Sequence, residues 1–309
     1  SSSLQTTGQL SSGSIVSGFG EINIPQSEIT ATKFIGNLNG TVGADTAYDG
    51  QFSTLTITSN KLLFNYNSTH SIFIMNTNPT TNSGTSNNVV IGLGHNNNLI
   101  GKDNIIIGYQ AGSFTKGGDY NVMIGTQSNS GVLNHITDRV TSVGYRSLKN
   151  NKGDQNTSLG YEAGFNNTTG TQNVFLGYKA GLANNNVGGK GDNNIYLGYC
   201  AGFYNEDVSN SVFIGYRSGY YNKTGDSNTI IGYDSNFGVI NNSISNVTSV
   251  GFKCLLRNKG DSNTALGYQA GLNNDDGTGN LFIGYKSGYE NTGGDNNTYV
   301  GYQAGLYNT

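Results

Sequence analysis

Side chains that could do chemistry are few in this 309-residue chain: three histidines (His70, His95, His135), two cysteines (Cys200, Cys254) and the phrase Gly188-Gly189-Lys190-Gly191-Asp192. A histidine acts as a general base or a zinc ligand only with a nucleophile, carboxylate or further ligands at matching spacing. These three sit in unrelated contexts, and no Ser-His-Asp, paired-carboxylate or metal-ligand grouping can be assembled around them, although a fold can bring remote residues together. Two cysteines at different positions of a repeat read as free thiols, not as a disulfide scaffold or zinc site. The glycine phrase is close to the calcium-binding pattern G-G-x-G-x-D. Its Asp falls one position early and the phrase does not recur as a set, so it reads as a turn without metal. Sequons such as Asn67-Ser68-Thr69, Asn167-Thr168-Thr169 and Asn246-Val247-Thr248 arise from the Asn- and Thr-rich composition, which leaves glycosylation open. No catalytic activity, cofactor or metal is expected.

The chemistry is sparse because the chain repeats itself. From about residue 88 the phrase Asn-x-x-aliphatic-Gly-Tyr-x-Ala/Ser-Gly recurs every sixteen to twenty-one residues, as in Asn173-Val174-Phe175-Leu176-Gly177-Tyr178-Lys179-Ala180-Gly181. Its central glycines are Gly92, Gly108, Gly125, Gly144, Gly160, Gly177, Gly198, Gly215, Gly232, Gly251, Gly267, Gly284 and Gly301. So short a unit cannot bury its own apolar face and must stack on its neighbours. With 34% hydrophobic residues, 47 glycines and no Trp, the composition does not supply an ordinary globular core. Disorder is excluded by 20 Tyr and 13 Phe held largely in register. A net charge of −3 speaks against nucleic acid as partner, and no apolar run approaches the ~20 residues of a membrane helix.

Glycine and asparagine every few residues disfavour helix, at about 1 kcal/mol per interior Gly, so each unit reads as a strand. Counted from the central Gly, positions −3, −1, +1 and +3 (Thr/Val/Ile, Ile/Leu/Val, Tyr, Ala/Ser) are expected on one buried face. Position −2 is then outward. It is apolar in many coils (Phe175, Tyr196, Phe213, Ile230, Phe282, Tyr299) and Ser142, Ser158, Ser249 or Ala265 in others, which suggests a second buried surface between identical chains. Asn at −4, present in ten of thirteen coils, reads as an amide ladder bonding from coil to coil. The +1 tyrosines read as rings stacked inside the coil; a sugar-stacking surface is the functional alternative.

Five of the central glycines return 107 residues later (Gly108 to Gly215, through Gly177 to Gly284), so six coils are tandemly duplicated. The first copy carries four extra residues within Ala183–Asn194. The architecture expected is an all-β parallel solenoid of thirteen coils over residues 87–309, roughly 60 Å long at about 4.8 Å per layer. It is preceded over residues 1–86 by a β-rich stalk or adaptor with strand-like runs such as Ser71-Ile72-Phe73-Ile74. Recognition is expected in projecting turns, where variation costs least. The two nineteen-residue coils offer Ser128, Asn129, His135, Asp138 and Arg139 in one, and Ser235, Asn236, Phe237 and Asn242 in the other.

Asn263-Thr264-Ala265-Leu266-Gly267-Tyr268-Gln269-Ala270 resembles the Asn-Thr-Ala-Ile-Gly-Tyr-Gln-Ala arrays of phage and large-virus fibre proteins. More distantly, it resembles the YadA-like head repeats of trimeric autotransporter adhesins. The resemblance implies a left-handed parallel β-roll, three chains side by side, on a virion surface or otherwise extracellular. It also implies partners in the form of two further copies, other virion or filament subunits at the rod ends, and a host-surface glycan or protein. Coils of about seventeen residues and Tyr at +1 depart from the adhesin heads. A chain ending in mid-repeat fits removal of the self-cleaving chaperone domain on which such viral fibres often end, a truncated piece, or an end that stacks on another subunit. A bacterial adhesin head is the alternative. An ice-binding solenoid would need a flat Thr-x-Thr face that these coils lack.

Overall fold

The computed structural model describes residues 72–74, 87–92, 94, 101–114, 118–132, 135–184 and 191–308. The chain divides into two compact units, Ser1–Leu62 and Leu63–Thr309, and every described residue belongs to the second. That unit is all-β in its described part, a parallel solenoid dominated by one fourteen-stranded sheet whose strands pair in order along the chain. Each strand is only three residues long, occupying positions −3 to −1, and pairs with its neighbour without slippage: Val174 with Ile195, Phe175 with Tyr196, Leu176 with Leu197. The first strand, Ile72–Ile74, precedes the recurring phrase and still pairs in register with Val89–Ile91. The rest of the expected stalk lies outside the described residues. Two short parallel pairs, Asn222–Thr224 with Asn242–Ser243 and Glu290–Asn291 with Tyr307–Asn308, stand apart from the main sheet.

The faces are the reverse of the sequence expectation. Position −2 is the core: Phe175, Tyr196, Phe213, Ile230 and Phe282 are fully buried, and so are Ser142, Ser158, Ser249 and Ala265. The rings of Phe175, Tyr196 and Phe213 stack coil on coil at 5.3 and 5.2 Å, nearly parallel. Positions −3 and −1 point outward, as Leu159 (49% exposed) and Leu266 (48%) illustrate. The error has a local cause. The expectation carried period-two alternation through the central glycine to Ala/Ser at +3. In fact the residue at +2 is left-handed in coil after coil (Arg146 φ 52°, Lys179 φ 53°, Gln269 φ 54°), and this turns +3 inward beside −2. Ala163, Ala180, Ala201 and Ala270 are accordingly buried at +3.

Glycine at 0 is a stacking requirement. A Cβ on Gly108 would come 2.6 Å from the carbonyl oxygen of Gly125 in the next coil, and φ there is +132°. No L side chain fits that approach.

The −4 asparagines form a ladder of mixed kind. Asn173, fully buried, accepts the Asn194 N–H (2.8 Å) and donates its amide to the Gly191 carbonyl (2.6 Å). Each side chain thus bridges to the backbone of the next coil. Amide-to-amide bonding of the expected type occurs at +7 instead: Asn274 donates to Asn258, Asn291 to Asn274 and Asn308 to Asn291. Buried backbone groups left open by such short strands find partners this way. A third ladder of Asp carboxylates accepts backbone N–H groups from the preceding coil, for example Asp192 from Thr171 (2.7 Å) and Asp295 from Thr278 (2.7 Å). The bonds from Thr278 hold the Asp295 carboxyl below its ordinary range.

Candidate functional site

From Gly144 onward, the outward residue after each central glycine builds an extended side-chain array. Tyr145, Tyr161, Tyr178, Tyr199, Tyr216, Tyr233, Phe252, Tyr268, Tyr285 and Tyr302 stack in sequence with centroids 4.8 to 5.3 Å apart. The expected mutual stacking exists, but on the surface: these rings are 37% to 74% exposed. They share the outward face with the −1 aliphatics. Basic residues at +2 lie over the rings, with Arg146 4.9 Å from the Tyr145 centroid and Arg217 5.0 Å from that of Tyr216. Arg217 also forms a bidentate pair with Asp234 (2.8 and 2.9 Å), whose hydrogen bonds raise the guanidinium pKa further.

A second aromatic group interrupts the repeat in three successive coils. Phe203, Tyr220 and Phe237, all at +5, stack at 5.0 and 5.1 Å. At +6, Tyr204 and Tyr221 form their own stack (5.2 Å, 5°) and meet the first column edge-on, Tyr204 against Phe203 at 69° and Tyr221 against Phe237 at 87°. Arg217 reaches over Phe237 at 4.8 Å. Beside the Tyr204–Tyr221 stack lies a groove of about 270 Å³ lined by Tyr204, Glu206, Tyr221, Lys223, Ile240 and Asn241. Lys223 and Glu206 pair across it at 3.4 Å. Burial among these rings pushes the Tyr220 hydroxyl pKa up to about 12.

Four of the nine residues expected to face a receptor do not. Ser128 and Ser235 sit at +3 and are fully buried, donating to the Ser142 and Ser249 carbonyls at 2.7 and 2.9 Å. Asn129 and Asn236 are buried at +4, with φ of 37° and 35°. The start of each long turn is the inward half of the coil, not a projecting loop. Asp138 belongs to the carboxylate ladder, accepting the Asp119 N–H at 2.8 Å. Asn242 lies in a short strand, with its amide donating to the Asn258 carbonyl at 2.6 Å. Arg139 is exposed and His135 half-buried. Phe237 alone of the nine enters the aromatic group. Tyr204, Tyr220 and Tyr221 were not singled out by sequence reasoning. The available signal was aromatics at +5 in three consecutive coils, where elsewhere Ser113, Lys149 or Leu182 stand there and aromatics such as Phe165 and Tyr289 occur singly.

Both cysteines are unpaired and buried. Cys254 occupies the small-residue slot at +3, and burial pushes its thiol pKa up to about 12. Cys200 is raised as well, chiefly by burial. His70, His95 and Gly188-Gly189-Lys190 lie outside the described residues. Among the described residues, no group of three or more His, Cys, Asp or Glu is placed to hold a metal ion, and no helix is long and apolar enough to cross a membrane. No protein-family profile, curated protein or solved structure matches the chain.

Proposed function

We propose that this chain is a structural and adhesive fibre protein of a virion, a tail or capsid fibre, that works as a homotrimer of left-handed coils and attaches to a host surface. One observation carries the reading. Outward residues at −1 and +1 line up coil after coil into a continuous apolar stripe, including Leu159, Leu176, Leu197, Leu266 and the tyrosine ladder. Monomeric soluble proteins rarely leave so long an apolar surface uncovered, and a repeated stripe is best covered by the same stripe on another copy. The aromatic −2 residues do not serve here, because they fill the core of a single chain.

Light scattering tests the assembly. The native chain should give three times its 32.7 kDa mass. Leu159→Asp with Leu266→Asp, both on exposed −1 positions, should give the single-chain mass with an unchanged far-ultraviolet spectrum. A native monomer would overturn the trimer. Gold-labelled antibody to this chain should decorate fibres on purified particles; decoration of bacterial cell surfaces instead would favour the adhesin-head alternative.

A further inference from the structure

The groove beside Tyr204 and Tyr221 is not required by the repeat. In the equivalent coils 107 residues earlier, Tyr220 and Phe237 are replaced by Ser113 and Ser130, and those coils keep the same strands and register. Stacking therefore proceeds without rings at +5, and the column of Phe203, Tyr220 and Phe237 is an addition to the solenoid, whereas at +6 the earlier copy keeps a ring, Phe114, in the place of Tyr221. The stack at +6 is also cut short. Ala183 and Gly238 occupy this position in the flanking coils, so the two tyrosines have no further ring in line with them. A Cβ on Gly238 would already stand 3.4 Å from Cβ of Tyr221, which shows how closely the chain passes there. Beyond it, Ile240 (67% exposed) and Asn241 (exposed) complete the groove wall.

We propose that this groove binds a neutral saccharide, one pyranose ring lying against Tyr204 and Tyr221 with its hydroxyls meeting Glu206, Lys223 and Asn241. The chemistry fits on three counts. Ring faces and an aliphatic side chain suit the C–H faces of a pyranose, and the tyrosine hydroxyls supply polar edges. A paired carboxylate and ammonium offer an acceptor and a donor in one place with no net charge, which favours a neutral ligand over an anion. At about 270 Å³ the groove is near the lower end of small-molecule sites, roughly 300 Å³. This deepens the attachment half of the reading above and uses repeat positions +6 to +9, distinct from the −1 and +1 stripe.

The test uses the full chain and glucose-, galactose- and N-acetylglucosamine-based hexasaccharides as probes. Saturation-transfer difference NMR at about 1 mM probe, a level that populates even weak sites, should show transfer from aromatic protons to at least one of them. Tyr204→Ala with Tyr221→Ala should weaken that binding about tenfold or more, the loss expected from removing two stacking faces. Glu206→Gln should weaken it with the rings in place. Thermal melts and light-scattering mass verify that each variant keeps its fold and assembly. No transfer from any probe, or equal binding by the double variant, overturns the proposal. With the trimer mass intact, that outcome leaves the fibre reading standing; a monomeric native chain would fail the fibre reading whatever the sugars do.

Discussion

Gly164 and Phe175 are fitted to one another: a Cβ on Gly164 would stand 2.7 Å from Cδ2 of Phe175, and 107 residues later Gly271 and Phe282 repeat the relation at 2.6 Å. The third party is also duplicated, since the same Cβ would meet Cδ2 of Leu148 in one copy and of Leu255 in the other, at 2.8 and 2.7 Å. Position +4 is left-handed whether it holds Gly164 (φ 59°) or Leu148 (φ 50°). Leucine is tolerated there where the −2 residues nearby are Ser142 and Ser158, too small to fill the core. Core volume, not backbone shape alone, therefore decides between glycine and leucine.

Gly164→Ala should lower stability by about 2–5 kcal/mol, combining roughly 1–2 for the left-handed backbone with about 1–3 for overpacking. Phe175→Leu in the same chain should recover part of that loss. Urea unfolding of the two singles and the double checks it; strictly additive effects would show that the ring is not the obstacle.

Asn173→Ala should cost several kcal/mol, because it strips partners from the buried Asn194 N–H and Gly191 carbonyl at about 1–3 kcal/mol each. A change at the exposed Arg139 should stay within about 0.5 kcal/mol. The urea midpoint should move with its slope unchanged; equal effects at both positions would refute a structural ladder.

Alkali should destabilise the fold. Cys254 and Tyr220 are both raised to about 12 in the folded chain, and Tyr196 is raised by complete burial. The unfolded chain loses these protons first, so it binds fewer protons than the folded chain over the window and stability falls as pH rises. The contribution is fully present below the ordinary thiol and phenol values, about 8.5 and 10, and is lost as pH climbs towards about 12. Thermal midpoints measured from pH 8 to 11.5 should decline across that window and less steeply for Cys254→Ala.

Thiol labelling at pH 8 should proceed slowly on the native protein and reach two equivalents after denaturation, since both cysteines are buried and raised. Rapid native labelling at Cys254 would mean that the +3 slot opens readily.

The sequence alone determined the parallel stacked-coil plan, because a phrase that recurs every sixteen to twenty-one residues with glycine at its centre has no other way to bury its apolar side chains. It also determined the register: the 107-residue duplication places Gly164 over the same kind of neighbour as Gly271. Which side of the strand faces in was left to the tertiary structure. Alternation over three residues names two faces without saying which is buried, and the left-handed residues at +2 that bring Ala180 in beside Phe175 are of ordinary types such as Lys179. The groove at Tyr204 and Tyr221 was hidden for a related reason. It is formed by side chains seventeen residues apart, and only stacking of successive coils brings them within one ring spacing.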